Sequence, residues 1–195
     1  MKDPLEDQDD ASTPLTEEER QDLIPSYIAL RPELNEAEQD NILEAEEWAF
    51  SRTRDVLDER FLRGLHKRMF HRVWRWAGKF RQTERNIGID AYRIAPELRQ
   101  LIDDCRYWVE HGTYDPDEVA VRFHHRLVSI HPFPNGNGRH ARMATDLLLV
   151  SMGRPRFTWG RANLVDPGET RQRYVDALRA ADHRDIRLLF AFARS

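Results

Sequence analysis

A histidine, two arginines and a glycine-rich turn fall within one short run, His131 to Arg142, which reads HPFPNGNGRHAR. A histidine side chain titrates near neutral pH, so His131 can accept a proton from an attacking hydroxyl group. Gly136 and Gly138 let the backbone approach a ligand closely, and a loop that leads into a helix presents N–H groups to an anion. These residue types predict a base beside a phosphate-binding turn.

The two arginines of the run, Arg139 and Arg142, are three positions apart. If a helix begins near Gly138, both arginines lie on one face of it, and each guanidinium can bind phosphate oxygens through two hydrogen bonds. The run therefore predicts transfer of a phosphate-containing group.

Two other interpretations fit the run less well. Residues 136–141 match the dinucleotide-binding pattern G-x-G-x-x-A, but that pattern follows a strand, whereas this loop contains Pro132 and Pro134 and follows a helical pattern. A plain connection between two helices accounts for the glycines but not for two arginines on one helical face. The phosphate-transfer interpretation is favoured for these reasons.

The run resembles the active-site motif of the Fic/Doc family, which is written H-x-F-x-[D/E]-G-N-G-R-x-x-R. It matches seven of the eight specified positions, at His131, Phe133, Gly136, Asn137, Gly138, Arg139 and Arg142. The departure is Asn135, where the family typically has an acidic residue that binds Mg²⁺.

The resemblance extends beyond the motif. Residues 74–81, WRWAGKFR, are similar to the segment that precedes the family's target-binding flap, and residues from about 57 to 192 resemble one Fic domain. Residues 34–36 and the Pro-Asn form of the motif at 134–135 resemble a small subgroup known as mobile mystery protein B.

The resemblance implies a protein adenylyltransferase, which transfers AMP from ATP to a serine, threonine or tyrosine hydroxyl of a target protein. It assigns His131 as the catalytic base, Arg139 as a catalytic and phosphate-binding residue, and Arg142 to the β- and γ-phosphates. It assigns nucleotide binding also to Phe133, Gly136, Asn137, Gly138 and Tyr174. Asn135 then stands at the metal position, where a neutral amide predicts weak Mg²⁺ binding.

Other functions stay open beside AMP transfer. The motif does not specify which group moves, so UMP or phosphoryl transfer fits it too. Asn135 also fits a nucleotide-binding or partner-binding module that has lost catalysis. A helix-turn-helix DNA-binding protein is disfavoured, because the loop between the helices is longer than a 3–4-residue turn.

The resemblance also bears on inhibition. Some Fic proteins inhibit themselves through a helix with the pattern [S/T]-x-x-x-E-[G/N], and only residues 13–17 come close to it, with Glu18 where glycine or asparagine is required. A separate antitoxin protein is then the expected inhibitor, and the chain would be the toxin of a toxin–antitoxin pair.

Apolar residues recur at helical spacing along most of the chain, so we predict an all-α fold. The predicted helices cover about 16–23, 35–54, 58–72, 96–111, 116–130, the segment from the motif to about 153, and a segment that contains Tyr174. Residues 185–194 close the domain. The period breaks between Phe80 and Ile94, where we predict one short β-hairpin. In a Fic protein this hairpin is the flap that pairs with the target's main chain, through Asn86, Ile87, Gly88 and Ile89.

The chain has 195 residues with a formal net charge of −4, which suits one domain and disfavours direct nucleic-acid binding. We expect residues 1–15 to form a disordered acidic tail and residues 16–195 to form the Fic domain. No apolar run reaches the roughly 18 residues of a membrane span, no apolar signal segment opens the chain, and Cys105 is the only cysteine. A protein of the cytoplasm, or one delivered to a host cytoplasm, is expected.

Overall fold

The computed structural model describes residues 17–160 and 167–195, and these residues form an almost entirely helical fold. The predicted all-α class is confirmed, while the predicted disordered tail, residues 1–15, lies outside the described residues. The helices are α1 (Glu17–Gln21), α2 (Arg31–Phe50), α3 (Glu59–Phe70), α4 (Ile94–His111), α5 (Pro116–Ile130), α6 (Asn137–Ser151), α7 (Pro167–Asp182) and α8 (Arg187–Arg194).

Helices α5 and α6 lie at the centre of the fold. They pack against each other, α5 also contacts α4 and α8, and α3 packs against α2 and α6. Apolar side chains from α2 to α6 form the main core, and a second apolar cluster joins α5 and α6 to α7 and α8. The loop that connects α5 to α6, which carries the motif, is therefore held at both ends by buried helices.

Helix α2 begins at Arg31, four residues before the predicted start at Asn35. The Glu33 carboxylate accepts hydrogen bonds from the backbone N–H groups of Ala29 (2.8 Å) and Leu30 (3.0 Å). Leu30 is not a typical N-cap residue, so the sequence gives no cap signal there. The Glu33 carboxylate satisfies the N–H groups of Ala29 and Leu30 instead.

The predicted β-hairpin is wrong. Residues 80–90 form an irregular loop without strands, followed by one turn of 3₁₀ helix at Ala91–Arg93. Side chains satisfy the backbone here: the Arg81 guanidinium donates to the carbonyls of Thr83 and Ile89, and Glu84 accepts from the N–H of Ala91. Backbone groups that are bonded to side chains do not form the ladder of a hairpin.

No helix among the described residues is both long enough and apolar enough to cross a membrane.

Candidate active site

His131 lies at the C-terminal end of α5, in a left-handed backbone conformation with φ 53° and ψ 60°. This conformation is uncommon for a residue with a Cβ, and such residues cluster at functional sites. The side chain is buried, with 8% of its surface exposed. Burial, together with the nearby positive charges of Arg81 and Arg85, lowers the pKa of His131 to about 4. At neutral pH the imidazole is therefore uncharged and can accept a proton.

The motif loop, residues 131–136, is shaped by the side chain of Asn137. Its Oδ1 accepts from the N–H of Phe133 (2.9 Å), and its Nδ2 donates to the carbonyl of the same residue (2.8 Å). Both amide groups of Asn137 are thus used on the loop backbone. Gly136 has φ 77° and lies against the Phe70 ring, which a Cβ at this position would approach to 2.5 Å. Only glycine meets both conditions without strain.

Helix α6 begins directly after this loop, and its first turn contains no acidic residue. The first N–H groups of a helix have no partner within it, and the helix dipole places partial positive charge at this end. The motif loop and the start of α6 therefore form a site suited to an anion, as the sequence predicts.

Asn135 directs its side chain into its own loop. Its Oδ1 accepts from the N–H of Gly136 at 2.6 Å, which is a turn-forming contact. Its carbonyl accepts from Nε2 of His66 at 3.0 Å, and Nδ1 of His66 accepts from the N–H of Gly78. The His66 ring stacks on Phe133 at 3.7 Å between centroids. His66 thus joins α3 to the motif loop, and burial lowers its pKa well below its usual value.

Arg139 contacts a residue that the sequence analysis did not single out. Its Nη1 lies 2.6 Å from Oε2 of Glu38, and its guanidinium lies 5.0 Å from the centre of the Phe70 ring. Glu38 is buried on α2, and its other oxygen accepts from Nε1 of Trp74 at 2.7 Å. A signal was present in the sequence: Glu38 is four residues before Ile42 on the apolar side of α2, where a lone carboxylate needs a partner.

Arg142 and Tyr174 lie together beside the glycines of the motif. The Arg142 guanidinium is 5.4 Å from the centre of the Tyr174 ring, and a Cβ on Gly138 would lie 3.8 Å from the Tyr174 hydroxyl. That hydroxyl is 2.9 Å from Nε2 of His124. Burial raises the pKa of Tyr174 to about 12 and lowers the pKa of His124 to about 3, so at neutral pH this hydrogen bond joins an uncharged phenol to an uncharged imidazole.

The loop that the sequence assigned to target binding lies directly against His131. We call residues 80–90 the flap. A Cβ on Gly88, which has φ 104°, would lie 2.6 Å from the Cβ of His131. Of the other assigned flap residues, Asn86 is exposed, whereas Ile87 and Ile89 are half-buried. The structure therefore brings the flap, His131 and the glycine-rich turn to one place.

Arg81 holds the flap to the end of α5 and was also missed by the sequence analysis. It is 2% exposed, and its Nε donates to the carbonyl of His131 at 2.7 Å. One terminal nitrogen donates to Ile89 and lies 3.4 Å from the Ile130 carbonyl, and the other donates to Thr83 at 3.0 Å. A cation at the C-terminal end of a helix is favourable because the dipole is negative there.

Comparison with known proteins identifies the class of this fold and site. The sequence model of the Fic/DOC family matches residues 56–149, so this part of the chain is a Fic/DOC family domain. The predicted family is thereby confirmed.

Similar sequences and structures agree with this assignment. The chain is 36% identical over 115 residues to the protein adenylyltransferase fic-1 of Caenorhabditis briggsae, and 30% identical over 118 residues to the protein adenylyltransferase Fic of Drosophila grimshawi. The matches cover 57% and 59% of this chain but only 21% and 23% of those proteins. The chain thus spans about a fifth of the length of these curated relatives.

Two solved structures show the same fold. The BepC protein of Bartonella tribocorum, solved with bound AMPPNP, superposes with a TM-score of 0.71 at 17% identity, over 92% of this chain and 97% of that one. Fic-1 of Caenorhabditis elegans superposes with a TM-score of 0.67 at 23% identity, over 88% of this chain and 50% of that one.

Proposed function

We propose that the chain is a protein adenylyltransferase that transfers AMP from ATP to a serine, threonine or tyrosine hydroxyl of a target protein. The observation that carries this proposal is the position of His131. A buried, neutral imidazole lies between the flap and the start of α6, which is where an acceptor hydroxyl and a phosphate would meet. The relatives named as protein adenylyltransferases support the same activity.

In this reaction His131 takes the proton of the acceptor hydroxyl as its oxygen attacks the α-phosphorus of ATP. The bond between that phosphorus and the bridging oxygen breaks, and pyrophosphate leaves. The N–H groups of Asn137 and Gly138 at the start of α6 hold the phosphates, and Gly136, whose own N–H is bonded to Asn135, lets the loop backbone lie close to them. Positioning and charge stabilisation account for most of the catalysis, because such transfers require little covalent chemistry of the protein.

The arginines and aromatic residues complete the nucleotide site. Arg142 binds the β- and γ-phosphates. Tyr174, which contacts Arg142, lies beside the adenine ring of the nucleotide. Phe133 supports the loop through its stacking on His66. Arg139 stabilises charge on the phosphates. Its ion pair with Glu38 fixes the direction of its guanidinium.

The residues present fit Mg²⁺ poorly. The side-chain oxygen of Asn135 is neutral and already accepts from Gly136, and within the described parts of the chain no three histidine, cysteine or acidic side chains converge. Mg²⁺ is normally held by one or two carboxylates and the substrate phosphates. We therefore assign no catalytic step to a metal held by this chain, and any metal would be bound mainly by ATP.

We predict that Asn135→Asp lowers the concentration of Mg²⁺ or Mn²⁺ needed for half-maximal transfer. A carboxylate adds a charged oxygen that the wild-type loop lacks, while the contact to the N–H of Gly136 is retained. Titration of both proteins with each metal measures the shift, and electron paramagnetic resonance reports Mn²⁺ binding in the presence of AMPPNP. Overlapping curves for both readouts would show that Asn135 only shapes the turn.

One experiment separates the proposed reaction from its alternatives. The full chain is incubated with lysate and with ATP labelled on either the α- or the γ-phosphate, and with α-labelled UTP. Protein labelled only by α-labelled ATP supports AMP transfer. Label from γ-labelled ATP indicates phosphoryl transfer, and label from UTP indicates UMP transfer. Nucleotide binding without any labelled protein indicates a binding module that has lost catalysis.

Two finer parts of the proposal rest on the family resemblance, namely a catalytic domain that covers residues 16–195 and a separate antitoxin protein as the inhibitor. Action in a cytoplasm, or in a host cytoplasm after delivery, and no direct contact with nucleic acid are expectations from the composition and charge of the chain.

A further inference from the structure

Positive charge is concentrated in the part of the chain that leads into the flap. Residues 59–85 contain nine arginine and lysine residues and two glutamates, a formal charge of +7 in a chain whose net charge is −4. The remaining residues are therefore strongly acidic, with a formal charge of −11. Such separation places one basic region on an otherwise acidic protein.

Several of these cations are used inside the fold. Arg68 stacks on the Trp48 ring at 4.0 Å, Arg72 pairs with Glu44, and Arg81 is buried against the flap. These arginines have structural partners and need no external ligand.

Other cations line a groove on the exposed side of α3. The groove has a volume of about 260 Å³ and is lined by Arg60, Arg63, Gly64, Lys67 and Gly78. Gly78 has φ 78°, and a Cβ there would come within 2.7 Å of the Lys67 Cβ, so its lack of a side chain lets the backbone lie close to α3. No atom lies within 4 Å of a Cβ built on Gly64, so the groove is open above it.

Most of the positive charges in and beside this groove are not neutralised by the part of the protein that the structure describes. Within residues 17–160 and 167–195, the side chains of Arg60, Lys67 and Lys79 have no hydrogen-bond or ion-pair partner. Arg63 donates to the carbonyl of Gly78 and lies 3.5 Å from Glu59, which is itself partly exposed. We call Arg60, Arg63 and Lys67, together with the exposed Lys79 that directly follows Gly78 at the edge of the groove, the basic groove.

The basic groove is continuous with the flap. Lys79 directly precedes Phe80, the first residue of the flap, and the Arg63 guanidinium lies 4.8 Å from the centre of the Phe80 ring. The N–H of Gly78 also donates to His66, which in turn donates to Asn135 in the motif loop. A polypeptide that binds along the flap therefore places in the groove those of its residues that are close in sequence to its modified hydroxyl.

We propose that the basic groove binds an acidic stretch of the target protein next to the hydroxyl that receives AMP. This rests on the proposed function, because it takes the flap to be the surface that binds the target. Carboxylate side chains match the unneutralised cations in charge, and the groove has room for one or two of them. Nucleic acid is the less suitable occupant, since its binding surfaces are normally extended and basic, whereas the rest of this chain is acidic.

The test selects peptides by their affinity for the full chain, without nucleotide. A library of 15-residue peptides with a fixed central serine, threonine or tyrosine is displayed on phage. It is selected against the wild-type protein, the groove variant Lys67→Glu/Lys79→Glu and the control variant Arg52→Glu/Arg99→Glu. The control makes the same charge change at exposed arginines outside the groove. Thermal melts confirm that all three proteins are folded.

We expect the wild type and the control to select peptides rich in aspartate and glutamate on one side of the hydroxyl residue. The groove variant should lose this preference or select lysine and arginine. By fluorescence anisotropy, a selected peptide should bind the groove variant about tenfold more weakly than the wild type, since two exposed ion pairs are reversed. Replacing its acidic residues by glutamine should give a similar loss in the wild type.

Three results would overturn the proposal. The selected peptides could lack an excess of acidic residues, or acidic peptides could bind the groove variant and the wild type with equal affinity. The third result is that a 20-base-pair DNA duplex binds the wild type more tightly than the groove variant while no peptide does. The peptide selection and the labelling experiment are independent. If acidic peptides bind through the groove but no AMP is transferred, the proposed function fails, and only the binding of an acidic segment by the groove stands. If AMP is transferred but the peptides show no charge preference, only the groove proposal fails.

Discussion

Replacing His131 with alanine is expected to reduce AMP transfer by about 10²–10⁴-fold, the usual contribution of a general base. Nucleotide affinity should be nearly unchanged, because the bonds between Asn137 and Phe133 that shape the motif loop do not involve the imidazole. His125→Ala is the matched control. His125 is on the same helix, but its ring contacts Asp182 instead of the motif loop.

The measurements are the rate of label transfer from α-labelled ATP and the affinity for AMPPNP by calorimetry. Near wild-type transfer by His131→Ala would exclude the imidazole as the base. Equal loss of nucleotide affinity and of transfer would instead place His131 in the binding of the nucleotide.

The pH dependence of the wild type follows from the same residue. A general base acts only when it is unprotonated, and burial lowers the pKa of His131 to about 4. The value of kcat/KM should therefore stay level as pH falls through 6.5 and decline only as pH approaches about 4. An acid limb centred near 6.5 would show that the base is exposed in the free enzyme.

Local signals were sufficient to predict the ends of the helices that precede the motif. Asp115 and Pro116 start α5, where the Asp115 carboxylate accepts from the N–H of Asp117. Gly112 ends α4 in a left-handed conformation, as its sequence position suggests. These boundaries depend on residues a few positions apart, which is why the sequence predicts them closely.

The contacts that complete the site join residues far apart in the chain. Glu38 and Arg139 are separated by 101 positions, and His66 and Asn135 by 69. Periodicity predicts that each side chain lies on a buried or half-buried face but not which partner it meets there. The β-hairpin prediction failed for a related reason. The alternation of Ile87 and Ile89 favours a strand, whereas the Arg81 side chain bonds to the carbonyls that a strand would pair.

Arg81→Lys is expected to separate target modification from nucleotide binding. A lysine ammonium carries the same charge but lacks the planar fork that reaches Thr83, Ile89 and the end of α5 at once. The flap and the His131 backbone would then lose their common support. Transfer to the target should fall about 10²-fold, since displacements near 1 Å at a reacting group have effects of that size.

The matched control is Arg93→Lys, which makes the same substitution at an exposed arginine beyond the flap, where the guanidinium pairs with Glu97. Affinity for AMPPNP serves as the check that Arg81→Lys is folded, because the motif loop keeps its own bonds to Asn137. If water replaces the target hydroxyl as the acceptor, ATP is hydrolysed to AMP without the flap, and this release of AMP from α-labelled ATP is the second readout. If Arg81 acts by holding the flap, KM for the target rises and hydrolysis is nearly unchanged. If Arg81 acts only through His131, kcat for transfer and the rate of hydrolysis fall together. Rates equal to those of Arg93→Lys would show that the Arg81 guanidinium positions neither the flap nor His131.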